Sequence, residues 1–149
     1  MASNTNITVE IVTYCDALAH IQTIRRQVFQ QEQGVSPELE FDGLDDAATH
    51  LLAWHQGQAV GTSRLRTLSE GVAKVERVAV LATYRGRGIG RKLMVSALAY
   101  LRAQGVTDVK VNAQLQVRSF YEALGFETTG EVFEEAGISH VAMWVRLQG

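Results

Sequence analysis

The sequence predicts a mixed α/β domain with a central sheet of about seven strands, mostly antiparallel and flanked by helices. Three observations carry that expectation. With 149 residues and 46% hydrophobic content, the chain can bury a core without disulfide staples and leaves no room for a second domain, so residues 1–149 read as one unit. Strand-like runs and stretches of helical periodicity follow in the order strand, helix, three strands, helix, strand, helix, two strands. The helix between the fourth and fifth strands favours a parallel crossover there, while short turns elsewhere favour antiparallel pairs.

Residues 7–14 read as the first strand. Ala17, Leu18, Ile21, Ile24, Val28 and Phe29 then mark a helix, with Asp16 as its cap and an end near Gly34. Residues 35–49 contain the only proline, Pro37, and read as a functional loop. Residues 50–55 and 59–67 are strand-like and joined by Gln56-Gly57, a hairpin signal. The next strand, 73–81, leads through Ala82-Thr83-Tyr84 into a glycine-rich turn. Ile89, Leu93, Met94, Ala97, Leu98 and Leu101 line one face of the helix that follows, and Gly105 ends it. Residues 106–113 form a strand, 117–124 a short helix closed by Gly125, and 126–133 and 140–147 the last two strands. Glu135-Ala136-Gly137 turns between those two.

The turn Arg85-Gly86-Arg87-Gly88-Ile89-Gly90-Arg91-Lys92 is electrostatically wrong for a helix start. A helix N-terminus carries partial positive charge, so each nearby cation should cost roughly 0.3–1 kcal/mol. A bound anion reverses the sign: glycines admit a phosphate to the backbone, first-turn amides donate to it, and the arginines become counter-charges. A plain loop with a solvated basic cap is the alternative. The P-loop pattern fails because Arg91 stands where it needs Gly-Lys-Ser/Thr. The dinucleotide fingerprint, started at Gly88, meets Leu93 at its third small position, although Asp108 lies at a suitable distance for a nicotinamide or flavin site.

Composition narrows the partners. A formal charge of −2 provides no global attraction for nucleic acid or anionic membrane, and no apolar run approaches the ~20 residues of a membrane span. The one cysteine, Cys15, cannot close an internal disulfide, and residues 1–6 lack a basic-then-apolar signal pattern; both point to the cytoplasm. His50 and His55 fall on opposite faces of a strand, which argues against a metal site. Six acids, Glu32, Glu38, Glu40, Asp42, Asp45 and Asp46, stand between Gln27 and Thr49 with no lysine or arginine. Such a loop would attract a cationic amine, and solvation explains it as well. Strand edges near the C-terminus could pair two protomers as a homodimer.

Three segments in order, Val75-Glu76-Arg77-Val78-Ala79-Val80, Arg85-Gly86-Arg87-Gly88-Ile89-Gly90 and Phe120-Tyr121-Glu122-Ala123-Leu124-Gly125-Phe126, resemble the GNAT superfamily of N-acetyltransferases across nearly the whole chain. Val28-Phe29-Gln30-Gln31-Glu32-Gln33-Gly34, Asp42-Gly43-Leu44-Asp45, the run from His50 to Trp54, and Gly137-Ile138-Ser139-His140 with Met143 look like the ElaA-like small bacterial members. The resemblance implies a GNAT-like domain with strands four and five parallel and splayed, and acetyl-coenzyme A as co-substrate. It places the pantetheine arm along the backbone of Val78, Ala79 and Val80. The pyrophosphate would sit in the turn at Gly86, on the amides of Arg87, Gly88, Ile89, Gly90 and Arg91, with Arg85 as supporting cation. Asn112, Ser119 and Tyr121 match positions that touch the coenzyme, although Ala113-Gln114-Leu115-Gln116 replaces the family's usual asparagine.

The implied reaction is direct acetyl transfer to a primary amine of a small molecule or peptide. A lysine-like amine, with pKa about 10.4, is free base in only roughly one molecule of a few thousand at pH 7, a cost of about 4–5 kcal/mol that a base can share. Glu76 is one candidate: simple alternation puts it on one strand face with Val78 and Val80. An exposed glutamate paired with an arginine is the alternative for it. Tyr121, at the family's tyrosine position, is the candidate acid for the leaving thiolate, or else a core aromatic. His140 is a further base or substrate contact. Two other readings stay open: a non-catalytic coenzyme A binding or sensor module of the same fold, and a nucleotide-dependent oxidoreductase using the glycine turn.

Overall fold

A computed structural model describes residues 6–147. Seven strands form one sheet in the order β1-β2-β3-β4-β5-β7-β6: β1 is Ile7–Thr13, β2 Thr49–His55, β3 Gln58–Ser69, β4 Val72–Val80, β5 Asp108–Gln114, β6 Glu127–Glu135 and β7 Ile138–Arg146. All neighbours are antiparallel except β4 and β5, which are joined by helix α3, Ile89–Ala103, as the crossover rule requires. The other helices are α1 (Leu18–Arg25), α2 (Pro37–Glu40) and α4 (Arg118–Glu122).

Local departures from the sequence reading are informative. The first helix does not continue uniformly toward Gly34; beyond Arg25 it widens into a π-helix over Arg26–Glu32, a winding that propensity does not signal. Asp16 does not cap α1, whose N-terminus has Ala17 at the cap position and no side-chain bond. The Asp16 amide instead donates to the Thr13 hydroxyl oxygen at 3.2 Å. The irregular loop contains α2, started by Pro37 where a missing amide costs nothing. Both turn residues of the 56–57 hairpin have positive φ, Gln56 at 50° and Gly57 at 80°, the twist that suits a two-residue connection.

The sheet has two packed faces. On one, Ile89, Leu93, Met94, Ala97 and Leu101 of α3, with Tyr121 and Phe126, cover Leu51, Leu65, Val75, Val111 and Met143. On the other, Ile21, Ile24 and Val28 cover Leu52 and Ala79. Strict alternation would put Val75 and Ala79 together. They are separated because β4 carries a bulge: Thr62 opposes Ala79 and Arg64 opposes Glu76, two steps against three, and Arg77 takes φ 55°. Past the bulge it is Val78 and Val80 that pack on the α3 side. Glu76 therefore does not share a face with Val78 and Val80, contrary to the alternation expected for this strand.

Residues 1–5 of the opening segment read for a targeting signal lie outside the described residues. Among those described, no helix is long and apolar enough to cross a membrane.

Candidate active site

Strands β4 and β5 bond only at Val72 to Asp108, Ala73 to Val109 and Lys74 to Lys110. Beyond that vertex they diverge, and a groove of about 1000 Å³ opens between them. Val78, Ala79 and Val80 line one wall and Asn112, Gln114, Tyr121 and His140 the other, with the glycine turn at the far end. The divergence leaves backbone groups of β4 without a β5 partner, which is the requirement for holding an extended ligand by main-chain bonds.

The turn end is built from backbone. Gly88 caps α3 in the left-handed region at φ 78°, and Gly86 has φ 80°, conformations that cost an L-residue roughly 1–2 kcal/mol. A Cβ on either glycine would meet nothing within 4 Å, so conformation, and not crowding, selects glycine there. The first helical bond of α3 runs from the Lys92 amide to Gly88 O at 3.0 Å, and the amides before it have no acceptor within the helix. Gly86, Gly88, Ile89, Gly90 and Arg91 line the groove. Arg85 is already engaged: its Nε donates to Val80 O at 2.9 Å and its two terminal nitrogens to Glu32 at 2.9 and 2.8 Å. Arg87 lies over the Tyr84 ring at 5.1 Å, outside the groove lining.

Tyr121 lines the groove, largely buried, and edge-on to Phe120 and Phe126. Burial pushes its phenol up to about 12, so it stays protonated at neutral pH and can donate. His140 on β7 stacks against Phe133, and its Nδ1 donates to Ile138 O at 2.7 Å in the neutral tautomer. That bond leaves the Nε2 lone pair available. Asn112 Nδ2 donates to Glu135 at 3.4 Å, while Asn112 Oδ1 is buried with no donor among the described residues. Ser119 is exposed on α4 and does not line the groove.

Toward the vertex the groove meets a charge cluster. Arg64 is fully buried and donates to Glu76 at 2.8 Å, to Asp42 at 2.9 and 2.8 Å and to Asp45 at 2.9 Å. Arg25, also buried, donates to Glu40 at 2.5 Å and to Asp45 at 2.6 Å. Glu76 additionally binds Arg66 and, at 3.3 Å, Lys74. Burial alone would raise the Glu76 carboxyl; the Arg66 hydrogen bond and the charges of Arg64, Lys74 and Arg66 outweigh it and hold the group below its ordinary value. Asp42 and Asp45 are lowered the same way, burial being overcome by Arg64 and Arg25 respectively. His50, buried and bonded to Asp45 O at 3.0 Å, is lowered by burial.

A family profile for the acetyltransferase (GNAT) domain matches residues 14–147. The chain belongs to the GNAT acetyltransferase family. The uncharacterised protein YyaT of Bacillus subtilis (strain 168) is 41% identical over 124 residues, covering 80% of this chain and 82% of YyaT. An acyl-CoA N-acyltransferase from Pseudomonas aeruginosa superposes with a TM-score of 0.82 at 33% identity, over 94% of this chain and 99% of that one. ElaA of Escherichia coli gives 0.82 at 27% identity, over 93% and 99%.

Within this GNAT domain the expected residues divide. The groove brings together Glu76, Val78, Ala79, Val80, Arg85, Gly86, Gly88, Ile89, Gly90, Arg91, Asn112, Tyr121 and His140; Arg87 and Ser119 stand aside. Glu76 is ion-paired as its alternative reading had it, yet half-buried and not exposed. Four of the six acids between Gln27 and Thr49 are engaged by arginines. Glu40, Asp42 and Asp45 pair with Arg25, Arg64 and Arg77, and Glu32 with Arg85. Arg25, Arg64 and Arg77 went unread because nothing local marks them. One signal was available: an arginine in the middle of an apolar strand such as β3 demands a buried carboxylate.

Proposed function

We propose that this GNAT domain is an acetyl-coenzyme A-dependent N-acetyltransferase, acting in the cytoplasm and passing the acetyl group directly to a primary amine. The observation that carries the reading is the splayed β4–β5 groove, with free α3 amides at one end and Tyr121 and His140 in its wall. The residues fit the coenzyme: the turn amides of Gly86–Arg91 suit a pyrophosphate and the unpaired β4 edge suits the pantetheine arm. Acetyl-coenzyme A supplies the thioester. The amine nitrogen forms the amide bond as the carbon–sulfur bond breaks. His140 Nε2 takes the amine proton, and the Tyr121 hydroxyl protonates the departing thiolate.

His140 is preferred to Glu76 as base because the cations around Glu76 weaken its basicity, while the Nε2 of His140 has no partner among the described residues. Glu76 then orders Arg66 and Lys74 beside the acceptor. Cys15 is exposed and outside the groove lining, in keeping with transfer without an acyl-enzyme. The test is calorimetric titration with acetyl-coenzyme A, with NADH as control, followed by thiol release with a panel of amines. Micromolar coenzyme binding and amine-dependent release support the reading. Binding without release from any amine would favour a coenzyme-binding module, and NADH binding alone an oxidoreductase.

A further inference from the structure

The register of the sheet sets three cations side by side. Arg66 on β3 lies directly opposite Lys74 on β4, and Lys74 directly opposite Lys110 on β5. Directly paired residues share a face with Cβ atoms about 4.5–5.5 Å apart, and like charges so placed destabilise a sheet. Glu76 is the only carboxylate of the described residues in ion-pair range of Arg66 or Lys74, and Arg64 shares it. No carboxylate of the described residues lies in that range of Lys110, whose ammonium rests over the Trp144 ring at 5.9 Å. Across the whole cluster, five cations (Arg25, Arg64, Arg66, Lys74, Arg77) face four carboxylates (Glu40, Asp42, Asp45, Glu76) before Lys110 is added. The positive excess falls at the vertex of the groove, where Arg66 and Lys74 form part of its lining.

Two residues beyond Lys110 on the same face of β5 stands Asn112, about 7 Å along the strand. Its buried Oδ1 lacks a donor, Glu135 lies beside it, and His140 follows on the same face of β7. The groove thus has a pole of acceptors, suited to an amine, next to a pole where cations outnumber carboxylates, suited to an oxyanion. We infer that the acceptor is an amine that also carries a carboxylate, an amino acid or a close analogue: the amine faces Asn112, Glu135 and His140, and the carboxylate rests on Arg66, Lys74 and Lys110. This assignment rests on the acetyltransferase reading above. It reverses the pull expected of the acidic loop, three of whose carboxylates, Glu40, Asp42 and Asp45, are held by the buried Arg25 and Arg64. A few bonds between amine and acid group span the two poles.

The experiment uses matched probes. Wild-type protein saturated with coenzyme A is titrated with amino acids bearing small, aromatic and acidic side chains, each against its carboxamide, and with O-phosphoethanolamine against ethanolamine. At least one amino acid should bind ~10-fold or more tightly than its carboxamide, the increment expected of charge-assisted bonds. The double variant Lys74→Gln/Lys110→Gln should abolish that preference while melting no lower than wild type, since it relieves repulsion. Equal binding within every pair, a preference that survives in the double variant, or a preference confined to the phosphate pair would each overturn the assignment. Thiol release from acetyl-coenzyme A with the same amines is read separately. A carboxylate preference in binding with no release from any amine would remove acetyl transfer and leave the anion site standing.

Discussion

The two ends of the groove are built by opposite means. At the turn, seven consecutive residues, 85–91, present backbone amides in a geometry set by glycine conformations, and their side chains are largely exposed. At the vertex, Arg25, Glu40, Asp42, Asp45, Arg64, Glu76 and Arg77 converge from α1, α2, the loop after it, β3 and β4, and the two central guanidiniums are buried. A ligand for the first end meets main chain that is ready without any partner. The second end exists only when five segments are packed together, so its charges specify the fold before they specify a ligand. Damage at the turn should therefore cost binding and damage at the cluster should cost stability.

The sharpest way to break that contrast is Arg64→Met. It strands Asp42, Asp45 and Glu76 in a poorly solvated site, and removal of one partner from such a network costs about 3–5 kcal/mol. Urea unfolding should show that loss; a loss below about 1 kcal/mol would mean that water replaces the guanidinium. Next in size, Tyr121→Phe should lower kcat about a hundredfold, the usual contribution of a placed proton donor, with the KM for acetyl-coenzyme A unchanged. An unaltered kcat would return Tyr121 to the role of a core aromatic.

Gly90→Ala probes the turn. The new Cβ lies 3.6 Å from the Phe120 ring, an ordinary contact, and alanine favours a helix by up to about 1 kcal/mol. The domain should melt no lower, yet bind acetyl-coenzyme A about tenfold more weakly as the methyl occupies the approach to the first-turn amides. Intact affinity would move the pyrophosphate elsewhere.

Acid sharpens the cluster end. Asp42, Asp45 and Glu76 have folded values below their unfolded ones. The unfolded chain then binds more protons, and the stability they contribute is complete above about pH 4–5 and lost as pH falls toward the folded values. His50 is also lowered, so its contribution is full above about pH 6.5 and declines below it, by about 1.4 kcal/mol per unit of displacement. Melting temperature should fall in two stages on acidification. His50→Gln should flatten the upper stage and leave the lower one.

The smallest effect is at the pair between the two ends. Glu32 and Arg85 are both substantially exposed, so Glu32→Gln should change stability by less than about 1 kcal/mol. It frees the Arg85 fork, and acetyl-coenzyme A affinity should rise a few-fold at low salt and less at high salt. No change at low salt would show that Arg85 takes no part in holding the phosphate.

Much of the fold was legible because it rests on periodicity. The apolar stripe of α3 and the seven strand-like runs depend on local patterns of 3.6 and 2 residues, and Ile89, Leu93, Met94, Ala97 and Leu101 are all buried as that stripe requires. The glycine turn was legible for the same reason, since Gly86 and Gly88 report a backbone conformation that neighbours cannot impose. The face of Glu76 was not. One extra residue at Arg77 turns the strand over, and a bulge on a central strand leaves no mark in the alternation of a run as short as 72–80. The π-helical winding after Arg25 was equally silent, because it changes the register of residues and not their kinds.

By itself the sequence determined the order of elements, the parallel crossover between β4 and β5, the glycine turn at the head of α3 and the membership of the chain in its family. Each of these follows from residues near one another along the chain, where sterics and short-range periodicity act before any tertiary contact forms. Only the tertiary structure decided which acids are available to a ligand, which face Glu76 takes, and that Arg66, Lys74 and Lys110 stand in one row. Those outcomes depend on the register between strands up to 44 positions apart, Arg66 and Lys110 being joined through Lys74, and the free energy of a charge is settled by the partners that folding brings to it.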